Sequence, residues 1–355
     1  MNSIKVLTVM TFALSIMTVL GQNRLKGGNY FLLLKDKEKI SLNTYENNKI
    51  KEKGTFTISE KSIFTTDQKE RVAILDTAKN LITLYDFQTS KEIRLSIPYD
   101  IKPKCILLND DDLFIGGKMG KEILVQYHIQ SEKWYELEIP TQVIFGGKAI
   151  DDLVVNDSLL IAIDNVVMPK YILFYRLNTT EKLAFSHFKL LKSNGTWEHI
   201  FQGRITSDYL GLRSSTFWSV GSAQHITIYK NLDLTECFAI SVSNGSRKNE
   251  TNEYNDFLIV GNKVVIANKE NGLGLFEIKK SYFEPIKNYV TSYSPINNFK
   301  PIKTLEFRHV VINDSKISYE KYKNKNIIKL TQIPNTKKII LTIENNNIRH
   351  EIIEI

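Results

Sequence analysis

A unit of short apolar strands recurs along this chain about every 40–55 residues, and a period of that length restricts the possible folds more than any other feature. In each unit we predict a third strand that ends in an aromatic residue. The aromatic anchors are Tyr45, Tyr85, Tyr127, Tyr175, Tyr229 and Phe276. Because repeats of this size are single supersecondary units, we expect them to pack in series around a shared core.

A polar turn between two apolar runs repeats with nearly the same spacing. Asn, Asp and Gly are common in such turns because they tolerate positive φ values. The turns predicted to join the first and second strands of each unit are Thr66-Asp67, Asn109-Asp110, Asn156-Asp157, Ser207-Asp208, Gly261-Asn262 and Asn313-Asp314. Two separate markers with one period indicate a structural repeat.

The predicted strands are apolar on both faces, as in sheets that lie between two neighbouring sheets. We therefore predict an all-β fold, a seven-bladed β-propeller of four-stranded antiparallel blades. The first unit is predicted to begin at Tyr30 in the second-strand position. The strand at residues 348–355 would then complete that unit, so that pairing of the N- and C-terminal strands closes the ring. A six- or eight-bladed ring and a two-sheet sandwich are the alternatives.

One unit carries a more specific pattern. The segment Asp112–Gly117 ends in two glycines, Tyr127 follows, and Trp134 lies seven residues after the tyrosine. This unit resembles a kelch repeat, which implies that the glycines allow close backbone approach and that Tyr127 and Trp134 pack between blades. The whole chain also resembles exported, secreted propellers of Bacteroidetes-type bacteria. Both resemblances imply a fold and transfer no functional residues.

Residues 1–21 are typical of a signal peptide. Lys5 precedes an apolar run, and Val19 and Gly21 are small enough for the positions before a cleavage site. We therefore predict a secreted or periplasmic protein whose residues 22–355 form a single β-propeller domain, without stable membrane insertion once the signal is removed. An uncleaved N-terminal anchor is the alternative.

The net charge of +8 does not indicate a nucleic-acid partner, because lysines and glutamates are interspersed and form no long basic run. We predict no nucleic-acid binding and a monomeric protein. The two cysteines, Cys105 and Cys237, are expected on different blades as buried free thiols.

Loops between second and third strands, and loops between blades, share one face of a propeller. They contain nearly all the insertions in this chain, and the long loops are predicted at 164–170, 190–201, 213–223, 241–254 and 285–301. Long loops on a rigid scaffold concentrate binding residues, and Trp, Tyr and Arg dominate binding energies. The predicted ligand-binding residues are Arg213, Trp218, Phe217, Trp197, His199, Tyr254 and Tyr293. Packing within their own loops is the alternative role of these aromatic residues.

Catalytic signals are weak. The histidines show no metal-ligand spacing, so we predict no metal site and no cofactor, and no catalytic residue can be named. Asp151-Asp152 opens a predicted inner strand and is a candidate for the central channel. The leading hypothesis is a non-catalytic exported binding protein for a protein, peptide or glycan. The alternatives are a propeller-fold hydrolase or lyase acting at the central channel, with or without a metal, and a purely structural assembly part.

Overall fold

The computed structural model describes residues 29–140, 149–164, 170–177, 181–191, 197–218, 221–230, 232, 234, 236–241, 254–268, 272–278, 284–285, 303–304, 311–312 and 317–355. In these ranges the chain forms β-strands and one 3₁₀ helix, Tyr319–Tyr322. The predicted signal peptide lies outside the described residues. No helix in the described ranges has the length and hydrophobicity needed to cross a bilayer.

The first four sheets are antiparallel, with strands paired in chain order. Sheet A contains β1 (Tyr30–Leu34), β2 (Lys39–Glu46) and β3 (Lys49–Thr57). Sheet B contains β4 (Ser62–Thr66), β5 (Arg71–Asp76), β6 (Leu81–Asp86) and β7 (Lys91–Ser96). Sheet C contains β8 (Lys102–Asn109), β9 (Asp112–Met119), β10 (Lys121–His128) and β11 (Lys133–Glu136). Sheet D contains β12 (Ile150–Val155), β13 (Leu159–Asp164), β14 (Lys170–Arg176) and β15 (Ala184–Leu191).

The later sheets vary more in strand number. Sheet E is built on β16 (Trp197–Ile205), β17 (Tyr209–Trp218), β18 (Gly221–Lys230) and β19 (Glu236–Ser241). Sheet F contains β20 (Tyr254–Val260), β21 (Lys263–Asn268) and β22 (Gly272–Glu277). Two short strands extend sheet E by pairing with β19: β23 (Glu284–Pro285), antiparallel, and β24 (Lys303–Thr304), parallel. Sheet G is the pair β25 (Val311–Ile312) and β26 (Ile317–Ser318), and sheet H contains β27 (Ile327–Gln332), β28 (Lys338–Glu344) and β29 (Ile348–Glu354).

The predicted polar turns lie between the first and second strands of sheets B to F, as expected. Asp110 and Gly261 have φ values of 47° and 58°, the conformation that favours these residue types. Asn156 stabilises its turn differently, because its Oδ1 accepts a hydrogen bond from the Leu159 N–H at 2.8 Å. The turn predicted at Asn313-Asp314 lies outside the described residues.

The hydrophobic core consists of clusters, each formed by the facing sides of two sheets. Successive sheets from A to F pack in this way, and sheet F packs on sheet H. A further cluster joins the two ends of the described chain, since Phe31 and Leu33 of sheet A pack on Ile333 and Ile340 of sheet H. Because both faces of the inner strands are covered, strands such as β5, β8 and β12 are buried and apolar on both sides, as the sequence indicated, whereas outer strands such as β3 and β7 are largely exposed.

The first strands of the sheets lie next to one another. β4, β8, β12, β16, β20 and β27 contact in that order, and β1 contacts both β4 and β27. We use the name central channel for the space beside these first strands. Any residue near the start of a first strand is therefore close to the neighbouring sheets.

The prediction for the ends of the chain was wrong. β1 takes the place of a first strand, so Tyr45 lies in a second strand, and β29 pairs with β28 along seven residue pairs instead of with the first sheet. The turn between β1 and β2 was not recognisable from the sequence, because it is a charged segment without the Asn/Asp pair. In this turn, Asp36 Oδ1 accepts a hydrogen bond from the Glu38 N–H. Sheets B, C and D have the predicted four strands, whereas the described strands of sheets A, F and H number three each.

The unit that contains Gly116, Tyr127 and Trp134 is closely packed at its glycines and at its aromatic pair. A Cβ added to Gly116 would lie 2.6 Å from the Cys105 Sγ, and the Tyr127 and Trp134 ring centroids are 5.0 Å apart. Cys105 is a buried free thiol in sheet C, as predicted, and Cys237 lies in β19 of sheet E.

Candidate functional site

A β-bulge occurs at the same place in five first strands, at the start of each strand. It shifts the register between the first and second strands of sheets C, D, E, F and H. The residues that directly follow the bulge are Cys105, Asp152, Gln202, Asp256 and Lys329. Because a bulge redirects side chains and bends its strand, these equivalent positions are natural sites for polar groups beside the central channel.

Asp152 is fully buried and connects two sheets. Its Oδ1 accepts a hydrogen bond from its neighbour Leu153 N–H at 2.9 Å, and its Oδ2 accepts one from the Gly203 N–H of sheet E at 2.6 Å. Burial raises the pKa of Asp152 to about 7, although nearby Arg204 and the two N–H donors favour the ionised form. The carboxyl group thus acts as a bridge between sheets D and E.

Asp256 repeats this arrangement two sheets further on. Its Oδ1 accepts a hydrogen bond from the Phe257 N–H at 2.8 Å, and its Oδ2 accepts one from the Leu330 N–H of sheet H at 2.9 Å. Two side chains of sheet E also reach Oδ1: Gln202 Nε2 at 2.9 Å and Arg204 Nη2 at 2.8 Å. Asp256 therefore connects sheets E, F and H.

Arg204 is 2% exposed, and its guanidinium is fully engaged. Besides Asp256, it donates to the carbonyl oxygens of Phe257 and Gly203, and it lies 5.8 Å from the centroid of the Phe257 ring. A buried arginine is tolerated only when its charge is paired and its donors are satisfied. Its role is therefore to hold sheets E and F together.

Lys329 differs from the other residues after a bulge because it has no carboxylate within ion-pair distance among the described residues. Its Nζ lies 5.5 Å from the centroid of the Phe64 ring, so the side chain reaches from sheet H to sheet B. Burial lowers the pKa of Lys329 to about 8; the charge of Asp256 acts against this shift, and that of Arg204 adds to it. The central channel therefore contains a cation without an ion-pair partner among the described residues.

The hydrogen bonds that these side chains already make limit the chemistry that the cluster can perform. The carboxyl oxygens of Asp152 and Asp256 are occupied by backbone N–H groups, so the two residues serve mainly to join sheets. No group of three or more metal-ligating side chains occurs among the described residues. Of the four charged residues of this cluster, Asp152, Arg204, Asp256 and Lys329, it is Lys329 that presents a group able to receive a ligand.

The predicted binding residues lie in a different place. Arg213, Phe217 and Trp218 belong to β17, and Trp197 and His199 belong to β16, so the loops predicted at 190–201 and 213–223 are largely strands. The assignment of residues 213–223 to a loop was wrong, because β17 and β18 continue as a hairpin of ten residue pairs, from Tyr209 opposite Lys230 to Trp218 opposite Gly221. The second-to-third-strand hairpins of the other sheets have eight pairs or fewer.

The hairpin brings several of these residues together. Trp197 is directly opposite Phe217, and His199 is opposite Ser215 in the same ladder. Arg213 Nη1 donates to the carbonyl oxygen of Asn255, the residue after Tyr254, at 2.9 Å. Tyr293 lies outside the described residues.

A cleft that the sequence did not predict lies on the opposite face, at the first-to-second-strand turns. It has a volume of about 510 Å³. Its cations are paired: Arg71 binds Asp67 at 2.8 Å and Asp111 at 3.2 Å, and Lys69 binds Asp110. The Tyr30 hydroxyl donates to Glu70 at 2.7 Å, which raises the pKa of Tyr30 to about 12. These contacts stabilise the turns of sheets B and C.

Sequence reasoning found Asp152 as a candidate but missed Gln202, Arg204, Asp256 and Lys329. A usable signal was present, because Asp152 stands four residues before the turn of its unit, and Gln202 and Asp256 each stand five residues before theirs. A polar residue four or five residues before the turn marks this position of a first strand. Arg204 gave no such signal.

Comparison with known proteins identifies a fold. No protein-family model and no curated protein matches this chain. A chain in the S. cerevisiae complex of Dbp5 bound to Nup159 and Gle1 matches with a TM-score of 0.50 and 9% identity, over 93% of this chain and 87% of that chain. The N-terminal domain of Nup159 matches with a TM-score of 0.48 and 10% identity, over 91% and 86% of the chains. The nidogen/laminin complex gives a TM-score of 0.43 and 11% identity, over 73% and 92%. The first of these likenesses supports a propeller-like all-β fold and carries no activity with it.

Proposed function

We propose that this chain is an exported β-propeller binding protein that presents the face with the long hairpin to a protein, peptide or glycan partner. The observation that carries the proposal is the β17–β18 hairpin, which is longer than its counterparts and bears Arg213, Phe217 and Trp218. A propeller-like fold suits an interaction scaffold, since it holds surface segments on a rigid core.

The proposed architecture is a closed ring of seven blades, sheets A to F and H. It is supported by the order of the core clusters, in which every one of these sheets packs on two others, including sheet A on sheet H. It is also supported by the contacts of β1 with both β4 and β27. Closure would therefore rest on face-to-face packing of the first and last blades.

The residue types of the hairpin support partner binding. Trp, Tyr and Arg contribute most of the energy in protein interfaces, and they act best near the centre of a contact patch. Trp197 and Phe217 stand at directly opposite register positions of β16 and β17, and cross-strand aromatic pairs stabilise sheets. The two short strands β23 and β24 widen the same sheet at its outer edge.

The test compares partner capture by the wild type and by the variants Trp218→Ala and Phe217→Ala. Immobilised protein is exposed to the envelope and secreted fractions of the source cells, captured proteins and glycans are identified, and the affinity for each is measured with purified components. We expect each substitution to weaken binding at least tenfold with little change in melting temperature. Tyr135→Ala, on β11 of sheet C, is the matched aromatic control. Equal affinity of the hairpin variants and the wild type would refute the proposal.

A catalytic role at the central channel is the second candidate, favoured by two groups with shifted pKa values, Asp152 and Lys329. A hydrolase or lyase of this kind would lose activity in Lys329→Met. A screen of ester, glycoside, peptide and phosphate substrates that detects no turnover, with or without added divalent metals, would eliminate it.

A further inference from the structure

We propose that the central channel binds a small oxyanion, a carboxylate or phosphate group, between the ammonium of Lys329 and the hydroxyl of Thr331. This site is separate from the proposed binding face on the β17–β18 hairpin. It would give the channel a ligand of its own.

The two residues lie on the same side of β27. Side chains alternate along a strand, so Lys329 and Thr331 point away from Leu330, whose side chain packs toward sheet F. Residues two apart on a strand are separated by roughly 7 Å, a distance that a long lysine side chain and a bound oxyanion can bridge. Both side chains therefore point toward one region, between sheet H, sheet A and the channel.

Thr331 provides an independent sign of a missing ligand. It is 7% exposed, and its Oγ1 has no hydrogen-bond partner among the described residues. Buried hydroxyl groups are normally paired, because leaving one unsatisfied loses the hydrogen bond that water would supply. An acceptor atom placed beside Thr331 would satisfy it.

The charges around the site favour an anion. Arg204 and Asp256 form an ion pair at 2.8 Å and largely cancel. Asp152 is only partly ionised near neutral pH because burial raises its pKa to about 7. Among the described residues no carboxylate lies within ion-pair distance of Lys329. The charge of Asp256 favours the ammonium from a longer distance, but burial outweighs it and lowers the pKa of Lys329 to about 8.

The geometry also restricts which ligand fits. One side of the ammonium faces the Phe64 ring at 5.5 Å, so its N–H groups are available on the other side. Ammonium and hydroxyl are both donors, and an oxyanion offers only acceptors. A cation would be repelled by Lys329, and a neutral apolar molecule would leave both donors unsatisfied.

The experiment measures the pKa of Lys329 in the full chain with sodium phosphate, sodium acetate or sodium chloride at equal ionic strength. Lysine side chains are labelled by ¹³C reductive methylation, and the Lys329 signal is the one absent from the spectrum of Lys329→Gln. We expect phosphate or acetate to raise the Lys329 pKa by at least half a unit relative to chloride. The anion that gives the larger rise identifies the favoured chemistry.

Variants then separate the site from general charge effects. Thr331→Val should reduce the apparent affinity for the active anion at least threefold, whereas Lys337→Gln, an exposed lysine beside the β27–β28 turn, should leave it unchanged. A Lys329 pKa that is the same in all three salts would overturn the proposal. So would a rise in phosphate or acetate that persists undiminished in Thr331→Val.

Discussion

A fully buried carboxyl group makes the stability of this protein depend on pH. Asp152 has a pKa of about 7 in the folded chain, against an ordinary value of 3.8, because burial penalises its charge. Between these two values the folded state binds more protons at this residue than the unfolded state does. The stabilisation from the protonated group is therefore complete below pH 4 and is lost as the pH rises through 7.

Asp152→Asn should remove this dependence. From pH 4 to pH 7 we expect the free energy of unfolding of the wild type to fall, relative to that of the variant, by on the order of 3–4 kcal/mol. Urea unfolding at several pH values measures the difference. Asp208→Asn, at an exposed turn, is the control and should follow the wild type. Parallel pH profiles of the wild type and Asp152→Asn would contradict the expectation.

The candidate site was only partly predictable at the level of single residues. Asp152 was recognisable because two adjacent carboxylates at a strand start are unusual. Arg204 was not, since an arginine within a strand is usually a surface residue, and its burial depends on Asp256, which lies about fifty residues away. Pairing between distant sheets leaves no local pattern in a sequence.

At the level of elements, Gly116 of β9 sets how closely sheets C and D approach. A Cβ on Gly116 would lie 2.5 Å from Ile150 Cγ2 and 2.6 Å from Cys105 Sγ, both closer than van der Waals contact allows. Gly116→Ala should therefore lower the free energy of unfolding by about 1–3 kcal/mol, the usual cost of overpacking. Thermal unfolding, with Lys118→Ala in the same strand as the control, measures the effect. An unchanged melting temperature would show that the two sheets can separate without cost.

The elements themselves were predicted unevenly, for a physical reason. Turns such as Asn156-Asp157 were located because the backbone conformation of a tight turn selects their residue types. The extent of the β17–β18 hairpin was not, because Ser214, Ser215 and Thr216 are equally common in loops. Only their ladder with β18 and β16 makes them strands.

At the level of the whole molecule, the contact between sheets A and H connects the two ends of the described chain. Ile340 is fully buried in that contact, whereas Ile352, on the adjacent strand β29, is 38% exposed. Ile340→Ala should cost about 2–5 kcal/mol, and Ile352→Ala much less, because only the first leaves a cavity. Denaturant unfolding of the two variants provides the measurement. Similar losses in both would argue against a packed contact between the first and last sheets.

The all-β class and the series of antiparallel sheets were predictable from the sequence, since a repeated unit of apolar strands restricts the fold, but the arrangement of the two ends was not. A pattern of strands does not specify which strand begins a unit, and shifting the assignment by one strand changes how the ends meet. The observed arrangement leaves β29 in its own sheet and β1 at the channel.

The joint between sheets A and H has a mechanical consequence. Among the described residues it is held by side chains: the small cluster around Phe31 and Ile340, and the contacts of Lys338 Nζ with Tyr45 and Asn48. Neighbouring sheets elsewhere are joined both by packing and by the continuous chain. If tension were applied to Tyr30 and Glu354, the contact between sheets A and H would carry the load first, and the molecule would open there.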